Sequence, residues 1–390
     1  MAKRLFALAV FLPVCSSLGS VCLFTRMPLV MNETLFWSGS LMYYYFFASI
    51  QVCPISEMDC TGMNVCVFYL MRKRGLPDMT KPSVNEHLEF QKKLTSLAEQ
   101  NGLHIVEESM KINESGMDFR VAFATDEQGQ QWILRQPRRE DVWERAENER
   151  KVLKVVKRHL PVEVPEWRIF TPELIAYPLL DGEPIAVVDP AGGGYAWRFP
   201  QESLSDDFFD SLAATLATLH NIDPVEAVKG GVRSKTPTEA REAFAANIEE
   251  IKQSFEVPDQ LAKRWEAWLT TDSYWPEHST FNHCDLHPPH IIVDDAQRVT
   301  GLIDWTEAEI ADPGKDFVIY YALFEEEGLR DLLKRYEKAG GRTWPRMLEH
   351  IREQWAAYPA IVAQFALITE EESNMEMARG MLASWDVKRG

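Results

Sequence analysis

The chain has 390 residues, is 46% hydrophobic and 26% charged, and carries a formal net charge of −18. That length suits two domains or one bilobal enzyme with a substantial core. The acidic excess argues against nucleic acid as a partner and favours a cationic small molecule.

Composition breaks near Met79. Residues 1–78 carry six Lys and Arg against four Asp and Glu, so the acidic excess lies entirely in residues 79–390. Cys15, Cys22, Cys53, Cys60 and Cys66 precede the break and only Cys284 lies beyond it. The body therefore lacks a disulfide framework and fits a reducing cytoplasm. Leu5–Thr25 and Thr34–Ser56 carry no charge, with Lys3, Arg4 and Arg72-Lys73-Arg74 outside them. Each run reaches the roughly 20 residues that span a bilayer. A membrane hairpin with Arg26 and Glu33 at its outer turn fits this pattern. A signal peptide fits the basic start and apolar run but lacks a clean cleavage site. The third reading is a start placed too far upstream, with Met79 as the natural one. Membrane association is expected only if this hydrophobic extension is real.

Val84–Asn101 reads as an amphipathic helix with Leu88, Leu94, Leu97 and Ala98 on its apolar side, ended by Gly102. His104–Lys111, Phe119–Ala124 and Gln131–Arg135 read as strands, the last two joined by a turn at Asp126–Gly129. Ser115 and Gly116 lie in the first link, where small residues let backbone N–H groups approach a phosphate; an ordinary turn reads the same way. Arg135 ends the third strand. Val142–His159 is a Glu- and Arg-rich helix that places Glu149 on the side of Val152, Leu153 and Val156. Trp167–Phe170 and Leu174–Leu180 read as further strands before Asp181-Gly182.

Asp207–His220, Pro237–Phe255 and Asp259–Trp268 have helical spacing. His220, at a helix end, reads as structural, and Trp265, Trp268, Tyr274 and Trp275 read as core. The segment His283-Cys284-Asp285-Leu286-His287-Pro288-Pro289-His290 comes next. Ile291–Val293 and Val299–Ile303 then form a hairpin ending at Asp304, fourteen residues after His290. Phosphoryl transfer needs one carboxylate to orient or deprotonate a hydroxyl and further ligands to hold Mg²⁺ on phosphates. Asp285 fits the first role; His290 and Asp304 fit the second, although imidazole is a less usual Mg²⁺ ligand than oxygen. His287 has no forced role.

These segments resemble the kinase-like fold of antibiotic phosphotransferases. The resemblance implies an α+β, bilobal, protein-kinase-like architecture of the aminoglycoside phosphotransferase type. A nucleotide-binding N-lobe with an antiparallel sheet would span 79–181, and a mostly helical C-lobe 182–390. Arg135 would stand where kinases carry a phosphate-contacting Lys, paired with Glu149. The Pro178 carbonyl and Leu180 N–H would face a purine, with Tyr177 behind it.

His290, five residues after Asp285, is where related kinases carry Asn. This position and Val299–Ala308 resemble macrolide 2′-phosphotransferases. So do Glu114–Phe119, Trp132–Arg139, Glu173–Tyr177, Trp344-Pro345 and Ala357-Tyr358-Pro359. The resemblance implies GTP (or ATP) as donor and the 2′-hydroxyl of a macrolide's desosamine sugar as acceptor, hence antibiotic resistance. It implies a cytoplasmic enzyme, taken as a monomer, with Asp285 and Glu307 near the sugar's amine and Asp316 bracing the catalytic loop. Phe317–Phe324, Trp355–Ala366 and Ile368–Trp385 are candidates for the macrolide groove. Two residues depart from the pattern: Cys284 replaces a usual Gly, and Pro289 a small or flexible residue. Two other readings stay open. One is a kinase of another small alcohol, such as an aminoglycoside or amino alcohol; the other is a binding protein disabled at Cys284 and Pro289.

Overall fold

The structure, a computed structural model, describes residues 84–114, 118–140, 142–189 and 194–385. The expectations for residues 1–78 and for Ser115 and Gly116 lie outside the described residues. The described residues fall within one compact unit, Lys81–Gly390. Among them no helix is long and apolar enough to cross a membrane.

Helix α1 (Val84–Gln100) leads into strands β1 (Ile105–Asn113), β2 (Phe119–Asp126) and β3 (Gln131–Pro137). Helix α2 (Val142–Val156) and strands β4 (Ile169–Phe170) and β5 (Ile175–Pro178) come after them. The five strands form one antiparallel sheet in the order β1-β2-β3-β5-β4. Because side chains alternate along a strand, neighbours in β3 serve opposite faces. Leu134 joins Phe90, Leu94 and Ala98 of α1 in one core, while Ile133 joins Val142 and Ala146 of α2 in another. Arg135 therefore shares the α2 face with Ile133. Leu88, expected on the apolar side of α1, is instead 45% exposed, and Phe90 is buried. The reason is spacing: Phe90, Leu94 and Leu97 form one stripe, and Leu88 sits two residues off it.

Strand β6 (Glu183–Pro184) and the hairpin β7 (Ala186–Val188) and β8 (Tyr195–Trp197) come next. Helices α3 (Asp206–His220), α4 (Pro224–Lys229), α5 (Pro237–Ser254) and α6 (Asp259–Thr270) succeed them. Short strands β9 (Thr280–Asn282), β10 (Ile291–Val293), β11 (Val299–Leu302) and β12 (Glu309–Ala311) precede helices α7 (Val318–Lys338), α8 (Met347–Ala356), α9 (Tyr358–Thr369) and α10 (Glu372–Ser384). Helices α3, α7 and α8 pack with the short strands around Phe281, Trp305 and Phe317. Trp265, Trp268 and the alanines of α9 form a separate core with α5 and α10.

The chain crosses from the five-stranded sheet to the helical part through 179–182. The Leu179 amide donates to Gln131 and the Asp181 amide to Glu163, while Thr300 Oγ1 donates to the Asp181 carbonyl. Gly182 stands at φ 108°, and a Cβ there would lie 2.6 Å from the Val293 carbonyl oxygen. Both the left-handed backbone and the close approach require glycine.

Candidate active site

Two strand pairs hold two loops side by side. The 283–290 loop leaves β9 and enters β10; the 303–308 loop leaves β11 and enters β12. Strand β9 pairs with β12, and β10 with β11, so both loops are tied at both ends. The Ile303 amide donates to the His290 carbonyl at 3.0 Å, which sets Asp304 beside His290.

Asp285, His290 and Asp304 converge, each offering a ligand atom within 4.8 Å of the others. His290 Nδ1 lies 2.7 Å from the backbone carbonyl of Asp285. A carbonyl only accepts, so Nδ1 carries a proton, and in the neutral ring Nε2 keeps its lone pair. That bare nitrogen lies 3.7 Å from Asp304 Oδ2. Metal-binding imidazoles commonly show this arrangement, with the far nitrogen donating to a carbonyl. Burial works to raise the Asp304 pKa, but the nearby charge of Arg135 and the Thr306 hydrogen bond hold it below the usual carboxylate value. The donor set, two carboxylates and one imidazole lone pair, can hold a divalent cation.

The backbone under Asp285 is unusual. Cys284 stands at φ 64°, as does Asp304 at φ 63°. Asp316, buried, accepts the His283 amide at 2.9 Å and the Cys284 amide at 2.7 Å. His220 Nε2 lies 3.1 Å from the same carboxylate, and its Nδ1 lies 2.8 Å from the Tyr336 hydroxyl. Burial alone would raise the Asp316 pKa; the His220 and backbone hydrogen bonds hold it low. Asp316 thus braces the loop from beneath. His283, also buried, donates from Nε2 to the Ile303 carbonyl at 3.0 Å, joining the two loops. Burial raises the Cys284 thiol far above its ordinary value, so it is no thiolate nucleophile.

Arg135 and Glu149 form a buried pair at 3.0 Å. The alternation of β3 brings one, and the Val142, Ala146, Glu149, Leu153 stripe of α2 brings the other. The Arg135 guanidinium also lies 4.0 Å from the centre of the Phe119 ring. Burial raises Tyr177 to about 12. Burial also raises Glu149 despite the Arg135 charge. Pro178 ends β5 opposite Trp132, and Leu180 is buried against Ile292.

Some contacts were not visible in the sequence. Thr306 Oγ1 lies 2.9 Å from Asp304 Oδ1 and 3.2 Å from Glu149 Oε2, linking the metal-ligand candidate to the small lobe. Its one signal is its place two residues after Asp304. Glu307, expected beside a substrate amine, is paired to Arg145 of α2, which also binds Asp118 at 2.7 Å. The groove candidates also narrow. Phe317, Tyr320 and Tyr321 are buried, as are the α9 alanines, while Ile361, Ile368 and Met377 are exposed.

The family model for the phosphotransferase enzyme family matches residues 109–350. The uncharacterized protein YcbJ of Bacillus subtilis is 46% identical over 285 residues, covering 73% of this chain and 93% of that protein. Among solved structures, a macrolide 2′-phosphotransferase type I is 39% identical with a TM-score of 0.70, covering 76% of this chain and 97% of that one. Macrolide 2′-phosphotransferase MphH from Brachybacterium faecium is 38% identical with a TM-score of 0.71, covering 76% and 99%. A GDP complex of aminoglycoside 2′-phosphotransferase-IIIa, 18% identical with a TM-score of 0.59 over 76% and 97%, shares the fold alone. The architecture is the bilobal, kinase-like α+β fold that the sequence predicted. The chain belongs to the phosphotransferase enzyme family and is a relative of the macrolide 2′-phosphotransferases within it.

Proposed function

We propose that this enzyme moves the γ-phosphate of GTP (or ATP) to the 2′-hydroxyl of a macrolide's desosamine sugar, and so confers resistance. The carrying observation is the convergence of Asp285, His290 and Asp304 beside the Arg135–Glu149 pair. Two relatives of 38–39% identity, spanning nearly their whole length, are macrolide 2′-phosphotransferases and support the acceptor.

Asp285 orients the acceptor hydroxyl and takes its proton. The hydroxyl oxygen bonds the γ-phosphorus, the bond to the bridging β-phosphate oxygen breaks, and the nucleoside diphosphate leaves with that electron pair. Arg135, held by Glu149, presents a fixed fork of donors toward the phosphates. The Pro178 carbonyl and Leu180 N–H meet the purine edge, and Tyr177 backs it. Ser115 contributes from the β1–β2 link. His290 and Asp304, with Asp285 beside them, would hold Mg²⁺, which neutralises phosphate charge when bound. Asp285 is the carboxylate assigned to the dimethylamino group, because Glu307 is already paired with Arg145. A cytoplasmic location fits the nucleotide requirement and the low cysteine content of the body, and a monomer is the proposed state.

Intact-mass analysis of erythromycin tests the reading. The full chain is incubated with Mg²⁺ and GTP or ATP in separate tubes. A gain of one phosphate is expected, more with GTP. Unchanged erythromycin with folded protein would reject the acceptor.

A further inference from the structure

Tyr195, on β8, lies 92 residues before His287 in sequence yet meets it in space. Its Oη is 2.5 Å from His287 Nδ1, and His287 Nε2 is 3.3 Å from Asp285 Oδ1. A neutral imidazole has one proton for two nitrogens. The 3.3 Å approach is looser than a hydrogen bond, but a proton on Nε2 is favoured there, because a bare lone pair would face an oxygen that only accepts. Nδ1 is then the acceptor, and the phenol must donate to it. Burial, then Tyr358 and Asp285, push the Tyr195 phenol up to about 12, so it keeps the proton it donates. His290 does not compete for the carboxylate: its Nδ1 proton goes to the Asp285 carbonyl, and Asp285 Oδ2 is 3.6 Å away.

We propose that Tyr195 and His287 are positioning residues for Asp285: the phenol fixes the imidazole tautomer, and the imidazole N–H faces Oδ1 across 3.3 Å, leaving Oδ2 for the acceptor hydroxyl. This rests on the proposed phosphoryl transfer and deepens it. Neither residue needs to gain or lose a proton during turnover. The hairpin β7–β8 thereby acquires a role at the reacting centre that its sequence does not announce.

The test joins ¹⁵N-histidine NMR of the full chain to steady-state kinetics with erythromycin and GTP. His287, identified by loss of its signals in His287→Gln, should show the Nε2–H tautomer, and Tyr195→Phe should shift its Nδ1 resonance. Tyr195→Phe should lower kcat about threefold to tenfold, the worth of one neutral hydrogen bond. The KM for GTP should stay within about twofold, since the purine and phosphate contacts assigned to Arg135, Pro178 and Leu180 are untouched. His287→Ala should cost more, and adding Tyr195→Phe to it should cost nothing further, because the two act as one chain. His287→Gln, which keeps a donor, should recover part of the loss. An Nδ1–H tautomer in the parent, an unchanged kcat in Tyr195→Phe, or additive losses in the double variant would overturn the proposal. A parent that transfers no phosphate would reject the functional reading instead, and the tautomer alone would then decide whether the hydrogen-bond chain exists.

Discussion

The Cys284 amide donates to Asp316 Oδ1 at 2.7 Å while its own residue stands at φ 64°. The bond and the strained backbone belong together: the carboxylate holds the turn that sets Asp285 in place. For a residue with a Cβ this region costs about 1 kcal/mol or more. Replacing Cys284 by Gly removes that strain. Glycine also loses roughly 0.5–1 kcal/mol of chain entropy on folding, and the packing of the half-buried thiol disappears. The terms nearly cancel, so Cys284→Gly should change stability by less than about 1 kcal/mol in urea denaturation. Cys284→Val, β-branched where φ is positive, should destabilise by about 2 kcal/mol. Equal stability of the Gly and Val variants would show that the turn is not strained.

Asp285→Ala should abolish transfer, because removing a general base costs about 100-fold or more. Retention of more than a tenth of the parent rate would end its assigned role. Asp304→Ala should retain the fold but lose metal-dependent nucleotide binding, read by calorimetry with and without Mg²⁺.

Removing Glu149 leaves Arg135 a buried, unpaired cation. Glu149→Ala should therefore destabilise by about 3–5 kcal/mol. Arg135→Lys keeps the charge but loses the fork and the contact with Phe119. It should weaken nucleotide binding about tenfold, the worth of roughly one charge-assisted hydrogen bond. A Kd unchanged in Arg135→Lys would place the phosphates elsewhere.

Asp312 and Asp316 are buried carboxylates that burial would raise, yet hydrogen bonds and nearby imidazoles hold both low. Unfolded Asp titrates near about 3.9. The unfolded chain thus binds protons first on acidification, and stability must fall. Their contribution is full above about pH 5 and is lost as pH drops through the depressed folded values. Glu149, raised on folding, works in the opposite sense. Denaturation curves from pH 7 to pH 3 should show a net loss, shallower in Asp316→Asn. An identical slope in that variant would mean that Asp316 does not carry the effect.

Much of the site was legible because its signals are local. The 283–290 segment and the hairpin to Asp304 lie within about two dozen residues, and the spacing alone places His290 near Asp304. The pairing of Arg135 with Glu149 comes from the kinase resemblance, with a strand end and a helical stripe as its local signals. Contacts across long separations left no such trace. Tyr195 meets His287 through a hairpin whose strands have three residues each, and Arg145 reaches Glu307 across 162 residues. Neither contact leaves periodicity or a motif. Leu88 was misplaced because one apolar residue beside a stripe looks like a member of it.

Ile292 of the β10–β11 hairpin shares a hydrophobic cluster with Phe119, Ile133 and Tyr177 of the five-stranded sheet, Ala146 of α2 and Leu180 of the crossing segment. The two halves are therefore not interchangeable modules. A chimera joined after Asp181 with a relative's helical half would inherit a foreign side chain in that cluster. It would need its partners on both sides exchanged together before it could be expected to turn over.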